Sequence, residues 1–288
     1  MPGEKWPLRW DLLLRYRLIE IIALWEGRLT TNNLCNSFGI GRQQASKDIN
    51  EYIREIAPSN LMYDRQLKGY KPTPEFQPQV TEGVADEYLH LLNRNKDINA
   101  RFTSLDLGSA NSEVLSVPVR DVRPEVVRPV VQAAQQRKRI EVEYISLSSA
   151  ERELRVIAPH TLVYSGYRWH VRAYCEKRRD YTDFVLSRFR GEPDMIDHES
   201  PNPIEQDLVW NTRVDIIIKP DSRLSPAQQA IIANDYGMTR KQLIITTRAA
   251  LVSYALNQLQ INPNLVHQKP EAQQIVVANL EALRQWLF

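Results

Sequence analysis

The chain has 288 residues, 37 Lys/Arg against 35 Asp/Glu for a net charge of +2, and 43% hydrophobic residues. That length exceeds what one core needs, so two or three domains are expected, and the composition is that of a folded chain. No run approaches the ~18 apolar residues of a membrane span. Trp6, Arg9, Asp11, Arg15 and Arg17 interrupt any secretory leader, and Cys35 and Cys175 make neither a disulfide scaffold nor a zinc site. A cytoplasmic chain is expected.

Residues 9–26 (RWDLLLRYRLIEIIALWE) carry Leu13, Leu14, Leu18, Ile21, Ile22 and Trp25 at helical spacing, and Gly27 ends the pattern. Thr30 and Thr31 can cap a short second helix that places Leu34, Cys35 and Phe38 inward and stops at Gly39. A third helix is expected over 42–57. Ala45, Ile49, Tyr52, Ile53 and Ile56 share one stripe of it; Gln43, Ser46, Lys47, Asn50 and Arg54 lie opposite. Residues 61–71 read as a hairpin about a Lys68-Gly69 turn, closed by Pro72 and Pro74.

Residues 79–97 read as helical, 99–116 as a linker, and a helix from about 124 leads into a β-rich segment, 140–196. IEVEYISL alternates strongly, ELRVIAPHTLVYSGYRWHVRAYCE holds three further strand candidates, and DFVLSRFRG adds a fifth. Short strands at even spacing suggest a small, strongly curved barrel. After the Pro-rich SPNPIE, residues 207–288 read as an α+β unit: strands TRVDIIIKP and KQLIITT, a helix capped by Ser225-Pro226, a helix RAALVSYALNQLQ, and a terminal strand or helix.

Two constellations carry chemistry. The three helices and basic hairpin form a winged helix-turn-helix pattern. The candidate DNA contacts are Thr31, Arg42, Gln43, Gln44, Ser46, Lys47 and Asn50 around the third helix, with Arg65, Lys68 and Lys71 on the wing. Asn and Gln pair bidentately with adenine; Arg and Lys read guanine or hold phosphate. The bland alternative is a solvated helix face. The second constellation is the β-rich segment, whose residues 137–190 hold twelve Lys/Arg against seven Asp/Glu, interleaved with aromatics. Basic groups on phosphate and rings on bases suit a nucleotide or a single strand. Arg188 and Arg190 are expected to leave one strand face together, with Phe189 opposite. His spacing suits no zinc site, no Gly-rich phosphate loop is present, and no nucleophile elbow surrounds Ser146. Neither an enzyme nor a resident cofactor is expected.

The stretch from Ile140 through Gly191, with PHTLVYSGYRWHVRAY and FVLSRFRG, resembles a WYL domain; the strand that usually reads Trp-Tyr-Leu here reads Trp169-His170-Val171. IIIKPDSRLSPAQQAIIANDYGMT and RAALVSYALNQL resemble the extension that follows such domains, and the whole is similar to the BrxR/CapW group of repressors encoded beside phage-defence systems. The resemblance implies a multidomain α+β chain: a winged helix-turn-helix at 1–76, a helical linker and dimerisation region at 77–135, an Sm-like, SH3-type β-barrel at 136–200, and an extension at 205–288 that helps to dimerise or to gate. It implies a ligand surface of Tyr144, Ser146, His160, Arg172, Arg188 and Arg190, to which the strand pattern adds Trp169 and His170. The expected partners are palindromic double-stranded operator DNA, a second copy of the chain, and a nucleotide or single-stranded nucleic-acid effector. A single-strand-binding accessory protein and a ligand-dependent activator are the alternatives.

Overall fold

A computed structural model describes residues 9–91, 120–265 and 267–287. The chain forms two compact units, Met1–Ser116 and Val117–Phe288.

In the first unit, α1 (Trp10–Glu26) ends at Gly27, which takes the left-handed φ of 72° that a side chain would resist. Helix α2 (Thr31–Phe38) starts one residue after Thr30, whose N–H and hydroxyl both donate to Asn33 Oδ1. Thr30 is therefore the cap and Thr31 the first helical residue. The third helix divides into α3 (Arg42–Glu51) and a π-helical turn, Tyr52–Ile56. Leu18, Ile19, Ile22, Leu34, Ala45, Ile49 and Tyr52 form the core. Strands β1 (Leu61–Asp64) and β2 (Gly69–Pro72) make the hairpin. Its second strand also bridges Leu29 to Tyr70, so Gly69 lies where a Cβ would meet the Leu29 carbonyl oxygen at 2.8 Å.

Beyond the hairpin the expected helix over 79–97 is shorter at its start: α4 begins at residue 85 and is described to 91. The backbone N–H groups of Gln79, Val80 and Thr81 donate to the buried Glu20 carboxylate instead of to a helix. The packing of this unit thus runs past residue 76. Residues 92–97 and the 99–116 linker lie outside the described residues.

In the second unit, α5 (Pro124–Gln136) packs Val126, Val130 and Ala133 onto a five-stranded sheet. Its strands are β3 (Lys138–Ile145), β4 (Arg152–Tyr164), β5 (Trp169–Cys175), β6 (Asp180–Val185) and β7 (Phe189–Glu199). All pairings are antiparallel, in the order β6-β5-β4-β3-β7. The sheet is open: β6 and β7 are its edges, joined by a single 3₁₀ turn, Leu186–Arg188. Arg188 accordingly lies on that turn and not beside Arg190 on a strand face. A register shift between Pro159 and Thr161 breaks the alternation of β4.

After α6 (Leu208–Asn211), a three-stranded sheet of order β10-β8-β9 holds β8 (Arg213–Pro220), β9 (Leu243–Arg248) and β10 (Ile275–Val277). Helix α7 (Pro226–Asp235) is capped by Ser225, which exchanges bonds with Gln228 as its Ser-Pro start suggested. Helices α8 (Val252–Gln258), α9 (Pro270–Gln273) and α10 (Leu280–Leu283) complete the unit. Ile216, Ile218, Val252 and Leu256 are its core. The terminal segment is therefore both strand and helix. No described helix is long and apolar enough to cross a membrane.

Candidate DNA interface and effector site

Helix α3 buries Ala45, Asp48 and Ile49 and exposes Arg42, Gln43, Gln44, Lys47 and Asn50, with Ser46 half-buried. Three of the polar groups are braced. Gln44 donates to Asp48 Oδ1 at 2.7 Å, and Asp48, itself buried, pairs with Arg15 of α1 at 2.7 Å. Asn50 Oδ1 accepts from Tyr70 of the wing at 3.4 Å. Arg42, Gln43 and Lys47 make no side-chain hydrogen bond or ion pair among the described residues, so their donors remain available. Thr31 is half-buried at the start of α2.

The wing has a rigid tip. Asp64 Oδ1 accepts the backbone N–H groups of Gln66 and Leu67, and Asp64 Oδ2 takes Lys71 at 2.7 Å. The Lys71 ammonium, and then the two backbone N–H groups, hold the Asp64 carboxyl below the usual carboxylate range. Lys71 is thus engaged inside the hairpin, whereas Arg65 and Lys68 are exposed. Sequence reasoning missed Arg28, whose Nε donates to Leu67 O at 2.6 Å and ties the α1–α2 corner to the wing tip. It also missed Arg15, whose role depends on a partner 33 positions away.

The eight expected effector residues do not gather at one place. Tyr144 sits among Phe184 and Phe189 with ring centroids 5.0 and 5.4 Å away, and its hydroxyl accepts from Val185 N. Ser146, nearly buried, shares a hydrogen bond with Ser148. Trp169 is half-exposed at the β4–β5 hairpin, 5.0 Å from the Tyr164 ring. Arg188 is half-buried and Arg190 exposed at the β6–β7 turn.

The remaining three form a buried seam with the C-terminal part of the unit. Arg172, 6% exposed, donates to Asp207 at 2.5 and 3.0 Å and to Asp183 at 3.3 Å. His160 meets Asp207 Oδ2 at 3.2 Å. Tyr254 of α8 donates to Asp183 at 2.8 Å, and its ring stacks on His170 at 4.6 Å. Burial opposes ionisation of Asp207, but His160 and Arg172 overcome it and hold the carboxyl at about 2. Burial pushes the His170 imidazole down, with Asp183 acting against that shift. Burial and the Asp183 charge push the Tyr254 phenol up. Asp207 also caps α6 through Trp210 N, and Trp210 in turn lies under the Arg248 guanidinium at 4.5 Å. This seam joins the five-stranded sheet to the C-terminal sheet.

A different set of arginines is free of carboxylates. Arg139, Arg152 and Arg155 pair with Glu176, Glu143 and Glu153. Arg188 and Arg190 have no carboxylate partner among the described residues, and neither do Arg120 and Arg123 just before α5. Arg190 Nη1 donates only to the Ser187 and Phe189 carbonyls.

Comparison with known proteins places three family models along the chain. The BrxR transcriptional regulator winged helix-turn-helix domain matches residues 11–94. The WYL domain matches 125–191. The BrxR C-terminal dimerization domain matches 213–283, the extension, one of the two regions expected to dimerise. The chain is 35% identical to the DNA-binding transcriptional repressor CapW of Escherichia coli strain KTE188, over 96% of this chain and 91% of that one. It is 34% identical to CapW of Pseudomonas aeruginosa, over 96% and 92%. With CapW of Stenotrophomonas maltophilia the identity is 30% over 97% and 93%. Extending across all three domains, this similarity shows that the chain belongs to the BrxR/CapW family of winged-helix, WYL-domain DNA-binding transcriptional repressors.

Proposed function

We propose that the chain represses a phage-defence operon by binding a palindromic operator as a homodimer, and that a nucleotide or nucleic-acid ligand at the WYL domain relieves repression. The observation that carries the DNA half is the outward face of α3. Its Arg42, Gln43 and Lys47 are exposed and have no side-chain partner among the described residues, while Gln44, Asp48 and Asn50 brace the helix against α1 and the wing. A preorganised helix with free donors suits base and phosphate contact in a major groove. Two such helices, one from each copy, suit an inverted repeat.

The effector half is supported by the arginines at the β6–β7 turn that have no carboxylate partner among the described residues; we read the five-stranded sheet as the Sm-like fold of the WYL domain. An effector relieves repression only by favouring the arrangement that does not hold DNA. The candidate contacts are Arg188 and Arg190, with Ser146 and Trp169 at the sheet margins. His160, His170 and Arg172 act in this reading as the seam behind the site, carrying its state to the dimerisation domain.

Gel shifts with the chain's own upstream DNA test the first half. Wild type is expected to retain the DNA without added ligand, and Gln43→Ala and Lys47→Ala are expected to lose it with the fold intact. Normal retention by both variants would refute the assignment of α3. A reporter under the native promoter tests the second half: Arg188→Ala/Arg190→Ala is expected to repress but to resist induction. Unchanged induction would remove the effector role.

A further inference from the structure

Between the start of α5 and the β6–β7 turn lies a cleft of about 680 Å³. Val126, Leu186 and Phe189, each at most 4% exposed, are its floor. Its rim carries Arg120, Arg123 and Arg190, against a single acid, Asp121. All three arginines are exposed and none has a carboxylate partner among the described residues. Arg123 Nη2 reaches the Gly191 carbonyl at 3.5 Å, and Arg190 Nη1 is aimed by the Ser187 and Phe189 carbonyls. Nε and Nη2 of Arg190 keep their N–H groups.

Three like charges on one concavity repel each other, and low-dielectric walls focus their field. Guanidiniums converging on a cleft are the geometry that binds phosphate bidentately. The apolar floor suits the flat, non-ionic part of such a ligand. Arg120 and Arg123 also have a particular place in the chain. They precede α5, at the end of the segment that runs from the winged-helix unit, whereas Arg190 belongs to the sheet. An anion held by all three fastens that connecting segment to the sheet.

We infer that Arg120 and Arg123 complete, with Arg190, a phosphate-binding cleft for a nucleotide-bearing effector, and that the connector's two arginines transmit effector binding to the DNA-binding unit. This rests on the effector reading above and names the ligand's charged group and the residues that couple it.

The test is fluorescence anisotropy on the full chain with a labelled, 5′-phosphorylated oligothymidylate of five nucleotides. Charge-assisted bonds from Arg to phosphate are among the stronger ones, so Arg120→Ala/Arg123→Ala is expected to weaken binding about tenfold or more. The same oligonucleotide without its phosphate is expected to bind wild type and variant alike. Arg178→Ala, an exposed arginine of the β5–β6 turn that does not line the cleft, is the control and is expected to bind as wild type. Operator affinity without oligonucleotide should stay within about twofold of wild type, because phosphate contacts to DNA lie on the other unit. Release of operator by the phosphorylated oligonucleotide should be lost.

If the double variant binds like wild type while Arg190→Ala weakens binding, the connector's part falls and the effector reading stands. If Arg190→Ala and the double variant both leave binding unchanged, or wild type binds neither oligonucleotide, the cleft and the effector reading fall together. Displacement by inorganic pyrophosphate as effective as by unlabelled phosphorylated oligonucleotide would overturn the nucleotide as source. Displacement by thymidine 5′-monophosphate but not pyrophosphate would support a nucleotide and fix its minimum size.

Discussion

The Asp207 carboxylate accepts two hydrogen bonds from the one guanidinium of Arg172, at 2.5 and 3.0 Å, with both side chains almost wholly buried. Asp207 follows the five-stranded sheet in sequence and caps α6; Arg172 lies inside β5. The pair is therefore a joint between parts of the unit. Asp207→Ala strips Arg172 of its main partner, leaves only Asp183, and removes the α6 cap. A buried pair broken on one side costs about 3–5 kcal/mol, since a charge is left uncompensated. Urea unfolding followed by tryptophan emission is expected to show that loss, and Arg172→Met/Asp207→Leu is expected to cost less than either single change.

The same seam makes the unit acid-sensitive in two steps. His170 has a depressed pKa in the folded chain, chiefly from burial, and neither ring nitrogen has a hydrogen-bond partner among the described residues. Its contribution is whole above the ordinary 6.5 and falls away as the pH drops below it, because the unfolded chain takes up the proton first. Asp207, lowered from 3.8 to about 2, is unaffected until the pH falls below 3.8. It then loses about 2 kcal/mol by the time the pH reaches its folded value. Stability measured from pH 8 to 2 is expected to fall in those two windows. His170→Phe should abolish the first while leaving stability at pH 8 unchanged or raised, since it removes unsatisfied buried nitrogens. A first phase that survives this substitution would assign it elsewhere.

Glu20 is the corresponding anchor of the winged-helix unit. Its buried carboxylate accepts from the Tyr52 hydroxyl, from the backbone of Gln79, Val80 and Thr81, and from the Thr81 hydroxyl. Burial, then the Glu20 charge, pushes the Tyr52 phenol up, so it stays a donor. Glu20→Gln keeps the shape but turns an N–H₂ group toward donors. The cost is expected to be about 2–3 kcal/mol, read as a lower Tm, with amide exchange accelerated first at residues 79–81.

The parts legible in the sequence are those governed by local rules. Apolar spacing marked α1 to α3, Gly27 the end of α1, Ser225-Pro226 the start of α7, and strong alternation marked β3. Long-range partners were not legible. Residues 79–84 read as the start of a helix, but the N–H groups of Gln79, Val80 and Thr81 are taken by Glu20, about sixty positions earlier, and those of Glu82 and Gly83 by Glu87. His170 and Arg172 share a strand face, as the alternation indicated, but the other side of that face is Asp207 and Tyr254, both in the stretch read as a separate C-terminal extension. Arg120 and Arg123 fall in connecting sequence where no periodicity singles them out. The one usable signal for Asp207 was an acid directly before a short apolar run, the position of a helix cap.

The wing supplies the sharpest test of the DNA interface, because its two lysines differ in what already holds them. Lys71 is paired with Asp64 at 2.7 Å; Lys68, at the turn with φ of 50°, is exposed and has no ion-pair partner among the described residues. A phosphate contact by Lys68 releases counterions, while one by Lys71 first gives up its bond to Asp64. Lys68→Ala is therefore expected to weaken operator binding and to lower the slope of log K against log salt by about one. Lys71→Ala frees the Asp64 carboxylate, which then stands as an unpaired negative charge beside the DNA and loosens the Gln66–Leu67 turn. Its loss of affinity is expected to be largely restored in Lys71→Ala/Asp64→Asn, since Asn still accepts the two backbone N–H groups without the charge. Lys47→Ala, on the recognition helix, should lower affinity by about 1–3 kcal/mol if it reads a base, with discrimination against mutated operators relaxed at one position. A uniform loss across all operators with a shallower salt slope would make Lys47 a phosphate contact instead.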